Sequence, residues 1–131
     1  MCIFCEIIKG NIPGVKVYED DDVLAILDIS QVTKGHTLVM PKKHVADIIE
    51  ADEETVLKCM KVVHELTPKI VNNLGAEGCN ILNNCKAVAG QSVEHLHFHI
   101  IPRYSENDAV TIAFNESEKQ DLAAVAAQIL K

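Results

Sequence analysis

Three histidines recur at strict two-residue spacing in His95-Leu96-His97-Phe98-His99, and Ile100-Ile101-Pro102 follows directly. On an extended chain side chains alternate between faces, so the three imidazoles project from one side and Leu96, Phe98 and Ile100 from the other. A row of titratable rings serves packing poorly, because histidine is only an intermediate core residue. Near neutral pH an imidazole is a nucleophile, a proton carrier and a metal ligand. Phosphate chemistry or metal binding is therefore the chemistry that fits the row. A His-x-His pair with His36 or His99 also offers ligands for a catalytic metal that activates water. That option has no obvious carboxylate base beside it, since Glu94 falls on the opposite face.

A second group of chemically capable residues lies at the start of the chain, where Cys2 and Cys5 form a Cys-x-x-Cys pair. This is a common half-site for tetrahedral zinc, and alone it is a weak signal. Five cysteines make an odd count, and a reducing compartment disfavours disulfides. Cys59, Cys79 and Cys85 have no evident partners and read as core filling or plain exposure.

The rest of the chain must position these groups. Its 131 residues suffice for one domain, 1–131, with a real core, and 48% hydrophobic and 24% charged residues are an ordinary globular balance. No apolar run approaches the roughly 18 residues of a membrane span. The start lacks the basic region of a signal peptide, so a cytoplasmic location is expected. A formal net charge of −7 argues against nucleic acid and membrane surfaces as partners. A single nucleotide can still bind through local donors and dipoles.

Phe4 to Lys9 reads as a short helical turn stopped by Gly10. Val15–Glu19 and Val23–Asp28 read as a hairpin around the acidic run Glu19 to Asp22, itself a solvated turn. Thr37 to Met40 is a buried strand ended by Pro41. A helix starts after Asp52, with Val56, Met60, Val63, Ile70 and Leu74 near helical spacing. Pro68 should kink or restart it, and Gly75 is a fitting C-cap. His64 reads as a surface residue of this helix. Cys79–Leu82 is strand-like, Asn83 to Gly90 a loop, and His95–Ile101 the histidine strand. Ser117 with Gln120 has capping-box spacing for a last helix whose apolar face is Leu122, Val125 and Ile129. The expected fold is α+β, a five-stranded antiparallel sheet with one long helix and a C-terminal helix.

Ala89-Gly90-Gln91-Ser92-Val93-Glu94-His95-Leu96-His97-Phe98-His99-Ile100-Ile101-Pro102-Arg103 resembles the signature of the histidine triad (HIT) family. So do Cys2-Ile3-Phe4-Cys5 with Ile7-Ile8, Leu24-Ala25 with Leu27-Asp28-Ile29-Ser30, and Gly35-His36-Thr37-Leu38-Val39-Met40-Pro41-Lys42-Lys43-His44. The motifs stand in the family's order along almost the whole chain.

The resemblance implies nucleotidyl transfer or hydrolysis at the α-phosphate of purine nucleotide conjugates, with adenosine monophosphate conjugates as substrates. It makes His97 the nucleophile of a covalent nucleotidyl-histidine intermediate, His99 a donor or general acid, and His36 the residue that orients His97. Gln91 and Ser92 match the phosphate-contacting pair, and Asn84, preferred over Asn83, adds a donor. Asp28 matches the acid that accepts the ribose hydroxyls, and it could instead cap local backbone. Ile29, Leu27, Phe4 and Ile7 resemble the walls around the base. His44 and His95 stand where zinc-containing branches supply ligands, which with Cys2 and Cys5 gives a Cys₂His₂ structural zinc site. The resemblance also implies a homodimer, paired through the long helices and an edge strand. The chain has no Trp and so departs from the phosphoramidase branch, whose C-terminal tail carries one near the active site. Two other functions remain open: a nucleotide-binding regulatory protein with incidental turnover, and a zinc-dependent hydrolase with the histidines as catalytic ligands.

Overall fold

A computed structural model describes residues 1–131. The elements in order are α1 (Ile3–Lys9), β1 (Lys16–Glu19), β2 (Val23–Leu27), β3 (Thr37–Pro41), α2 (Glu53–Leu74), β4 (Gly78–Leu82), β5 (Phe98–Arg103) and α3 (Leu122–Ile129), with a 3-10 turn at Ala87–Ala89. The strands form one sheet in the order β1-β2-β3-β5-β4, and every neighbouring pair is antiparallel. The α+β class read from the sequence is therefore the observed one.

Alternation along the strands divides the core in two. Val23, Ala25, Val39, Leu96, Phe98 and Ile100 pack against Cys59, Val62, Val63 and Leu66 of α2. Leu24, Ile26, Leu38 and Met40 point the other way and pack on Phe4 and Ile7 of α1. Since Leu96, Phe98 and Ile100 belong to the α2 face, period-two geometry leaves His95, His97 and His99 to the α1 face. This assignment places the chemistry.

Local signals set the element ends. Cys2 caps α1 by accepting the Cys5 N–H on its sulfur at 3.3 Å. Asp20 closes the β1–β2 hairpin, one carboxylate oxygen accepting from the Asp22 and Val23 N–H groups at 2.7 Å each. Asp52 caps α2 through the Thr55 N–H at 2.9 Å. Gly35 has φ 96°, and a Cβ there would collide with Leu74, so the turn into His36 requires glycine.

Four expectations need correction. Helix α2 runs unbroken through Pro68, because the missing N–H frees only the carbonyl of the exposed His64, which water can satisfy. The helix buries Cys59, Val62, Val63 and Leu66, while Met60 lies at the rim of that stripe. Burial pushes the Cys59 thiol up to about 12, so this cysteine is inert core. Strand β5 begins at Phe98, not His95, because its partner β3 ends at Pro41, which has no N–H to extend the ladder. Helix α3 is capped by Asp121 through the Ala124 N–H at 3.2 Å, and Ser117 turns its hydroxyl to the Glu118 carbonyl. No residue of α3 is buried, and Leu122, Ile129 and Leu130 stand exposed. No helix is long and apolar enough to cross a membrane.

Candidate active site and metal centre

Two clusters lie side by side on the α1 face, and the backbone decides which nitrogen each ring offers. His95 is fully buried, and its Nε2 lies 2.7 Å from the Pro41 carbonyl oxygen. A carbonyl only accepts, so the proton sits on Nε2 and the Nδ1 lone pair is free. That nitrogen stands 3.4 Å from Cys2 Sγ, 3.7 Å from Cys5 Sγ and 3.2 Å from His44 Nδ1. Cys5 Sγ is 3.4 Å from His44 Nδ1, and the four ligand atoms all lie within 4.8 Å of one another. On one tetrahedral zinc, two imidazole nitrogens stand about 3.3 Å apart and a thiolate and an imidazole about 3.6 Å. The Cys2, Cys5, His44 and His95 cluster has these dimensions.

His97 makes the opposite choice. Its Nδ1 lies 2.7 Å from the His95 carbonyl oxygen, so the proton is on Nδ1 and the lone pair on Nε2. Nε2 makes no hydrogen bond, yet no buried side-chain nitrogen or oxygen is unpartnered, so this nitrogen opens to solvent although the ring is only 6% exposed. The Phe4 ring packs edge-on behind it at 5.0 Å between centroids. Asn83 donates to the His97 carbonyl at 2.9 Å and fixes the backbone from the other side.

The third cluster member follows by the same logic. The Val32 N–H donates to His36 Nδ1 at 3.5 Å, which leaves the His36 proton on Nε2. His36 Nε2 lies 2.9 Å from His99 Nδ1 and 3.7 Å from Asp28 Oδ2. His99 therefore accepts at Nδ1 and carries its own proton on Nε2, which is free of protein partners. The His97 and His99 ring centroids are 5.0 Å apart. A lone pair and a proton donor thus open onto one small surface. Asp28, His36 and His99 are also close enough to be considered as metal ligands. The 2.9 Å nitrogen separation is that of a hydrogen bond and is shorter than the roughly 3.3 Å of two imidazoles sharing one zinc.

Burial holds the pKa values of His36, His95 and His97 below the ordinary histidine value. His99 is pushed down to about 4 by burial, then by His97 and His36, with Asp28 opposing. All four rings are neutral at pH 7, so the lone pairs are available.

The flanking residues divide. Asp28 uses Oδ1 to accept the Ser30 N–H at 2.8 Å and turns Oδ2 toward His36, so it caps local backbone and faces the site at once. Leu27 is half-buried and Ile29 fully exposed beside it, whereas Phe4 and Ile7 belong to the core. Ser92 is exposed just before His95. Asn84 donates to the Gly90 carbonyl at 3.3 Å. Gln91, expected at the phosphate, has its amide engaged with backbone. It donates to the Ala46 and Val93 carbonyls at 2.7 and 3.0 Å and accepts the Lys86 N–H at 2.8 Å. Gln31, missed in the sequence, accepts the Gly35 N–H at 2.7 Å and donates to the His36 carbonyl at 2.8 Å, bracing the turn that delivers His36. An amide in a polar turn gives no pattern from which this could be read.

Fold and site together define an antiparallel α+β protein built on an ordered row of histidines. The HIT domain model matches residues 9–106, and the chain belongs to the HIT family. An uncharacterized HIT-like protein of Methanocaldococcus jannaschii is 49% identical, the match covering 98% of each chain. The adenosine 5'-monophosphoramidase of Schizosaccharomyces pombe is 45% identical, over 80% of this chain and 76% of that protein. An adenylylsulfatase of Arabidopsis thaliana is 41% identical, over 78% of this chain and 52% of that protein. The crystal structure of a HIT family protein from Bacillus anthracis superposes with a TM-score of 0.93 at 46% identity, covering 98% of this chain and 94% of that one. A zinc-bound histidine triad protein of Mycobacterium smegmatis matches with a TM-score of 0.78 at 35% identity, over 98% and 94% of the two chains.

Proposed function

We propose that this protein is a nucleotide hydrolase or nucleotidyl transferase that cleaves adenosine monophosphate conjugates at the α-phosphate. The observation that carries this reading is the 2.7 Å bond from His97 Nδ1 to the His95 carbonyl. It leaves a neutral Nε2 lone pair aimed outward beside the Nε2–H of His99. In the first step His97 Nε2 attacks the α-phosphorus and the bond to the leaving group breaks, the Nε2–H of His99 hydrogen-bonding to the departing atom, which takes its proton from water. In the second, water attacks the phosphorus and releases its proton to solvent, and the His97–phosphorus bond breaks, which returns His97 to its neutral form. His36 donates to His99 Nδ1 and so keeps the exchangeable proton on Nε2. Ser92 and Asn84 supply donors to the phosphate oxygens. Asp28 takes the ribose hydroxyls on Oδ2, with Leu27 and Ile29 against the base. The relatives named for adenosine phosphoramidate and adenylyl sulfate support this substrate class.

Cys2, Cys5, His44 and His95 hold a zinc ion in this reading, supported by their ligand spacing and by the zinc-bound mycobacterial relative. With four protein ligands the ion is structural: it ties the N-terminal helix and the segment after β3 to the chain entering β5. A homodimer fits the exposed Ile81 and Leu82 on edge strand β4 and Leu57 and Met60 on α2. The free thiols suit a reducing, cytoplasmic setting.

The test is a panel of adenosine phosphoramidate, adenylyl sulfate and dinucleoside polyphosphate, assayed with wild type and His97→Ala. At least one substrate should turn over, with a loss of about 10³-fold or more in the variant. Binding of adenosine monophosphate with no turnover of any member would instead favour a regulatory nucleotide-binding protein. Equal turnover by His97→Ala would remove the covalent mechanism.

A further inference from the structure

Lys86 is the one non-glycine residue with positive φ, at φ 76° and ψ 157°. That region of backbone space is almost reserved for glycine, and a side chain persists there only where its surroundings hold it. The holding contact is at the far end of the same side chain. Lys86 Nζ lies 2.6 Å from Asp47 Oδ2, and Asp47 is 2% exposed. The other Asp47 oxygen accepts the Ile49 and Glu50 N–H groups at 3.0 Å each. The carboxylate is thereby fixed to the segment after β3, three residues past His44.

The backbone of Lys86 organises the loop ahead of the histidines. Its N–H donates to Gln91 Oε1 at 2.8 Å, and its carbonyl accepts from the Ala89 and Gln91 N–H groups at 3.1 Å each. The Gln91 amide in turn donates to the Ala46 carbonyl at 2.7 Å, beside Asp47. Asn84, Gln91 and Ser92 therefore sit on one loop, fastened to the 44–50 segment by an ion pair at one end and an amide at the other.

We propose that Lys86 and Asp47 are a positioning pair that latches the 84–92 loop over the phosphate position. Neither residue touches the reacting atoms. The ion pair holds Lys86 in its strained backbone conformation, and that conformation sets Gln91, which presents Ser92 and Asn84 to the phosphate oxygens. This inference deepens the function proposed above and rests on it. An ion pair between unremarkable residues 39 positions apart in sequence is also a coupling between the phosphate loop and the segment that carries His44.

Asp47→Asn, Lys86→Met, Lys86→Arg and Lys86→Gly are the informative variants, measured for amide exchange, melting temperature and turnover of the best wild-type substrate. Asp47→Asn and Lys86→Met should lower kcat about tenfold with KM within about twofold, the size expected of sub-ångström misplacement. Lys86→Arg should restore most of kcat. Lys86→Gly should lower kcat similarly while its melting temperature holds or rises, since it removes the latch and the strain together. Amide exchange at Ala89, Gly90 and Gln91 should quicken in the first two variants and stay unchanged at Ile100 and Ile101. A kcat that merely follows melting temperature, or unaltered exchange at Ala89 to Gln91, would overturn the proposal. The exchange readout needs no substrate, so it judges the latch even if wild type turns nothing over, an outcome that would count against the enzymatic reading alone.

Discussion

The candidate metal centre and the candidate reactive site are two histidine clusters separated along the chain by a single residue, Leu96, and they differ in which carbonyl each ring meets. His95 gives its Nε2 proton to Pro41 and turns Nδ1 toward two thiols and His44. His97 gives its Nδ1 proton to His95 itself and turns Nε2 to solvent. One residue type, one backbone segment and one sheet face thus yield a candidate ligand and a candidate nucleophile. Neighbouring chemistry completes the division. Sulfur surrounds His95, a setting for a soft cation, whereas Asp28 and His36 surround His99, a setting for proton traffic.

The comparison breaks most visibly at His99. His99→Ala should slow turnover by about 10²- to 10⁴-fold for a substrate with a basic leaving group such as an amine, and far less for sulfate, which leaves without a proton. A uniform loss across leaving groups would mean that His99 positions the phosphate rather than serving the leaving group. Next in size is the metal centre. Cys5→Ser should drop zinc from about one equivalent to less than half. Loss of a ligand held at about 100-fold over its dissociation constant removes roughly 2.7 kcal/mol, or on the order of 10 °C in melting temperature. Turnover below the new melting temperature should change little. If it vanishes while the fold persists, the two clusters are not separate in function.

The smallest effect is in pH. Folding lowers the His99 pKa to about 4 from an ordinary 6.5, so between those values the unfolded chain binds more protons. The stability contributed by this neutral ring is complete above pH 6.5 and drains away as pH falls through 4. Turnover should accordingly stay level from pH 8 to near 5 and decline only below that. Asp28 raises the pKa values of His36 and His99, so Asp28→Asn should move the acid limb to still lower pH. A limb at 6.5, or a shift upward in the variant, would contradict the burial argument.

Much of this is legible in the sequence itself. Leu96, Phe98 and Ile100 alternate with the histidines, so one face had to be core and the other chemistry, and the α2 and α1 layers realise that split. The Cys2 and Cys5 spacing could be read locally, but His44 and His95 lie 39 and 90 positions from Cys5 and meet it only through tertiary packing. Strand β5 starts late because a proline on its partner lacks a donor, which no pattern within residues 95–101 reveals. Gln91 matches a phosphate-contacting position by its neighbours in sequence, and only the fold shows that the Ala46 and Val93 carbonyls engage its amide. The Lys86–Asp47 pair carries no sequence signal, since a lysine in a loop and an aspartate after a strand are ordinary residues until their geometry is seen.

In the proposed reaction His97 Nε2, and no other atom, forms the bond to phosphorus. Rapid mixing with adenosine monophosphate conjugate labelled at the α-phosphate, alkaline quench and peptide mapping tests it most directly. An acid-labile label should be confined to the peptide bearing His97, enriched under single turnover, lost in His97→Ala and retained in Cys5→Ser. Label on His95 or His99, or full turnover with no labelled protein at any time, would contradict it.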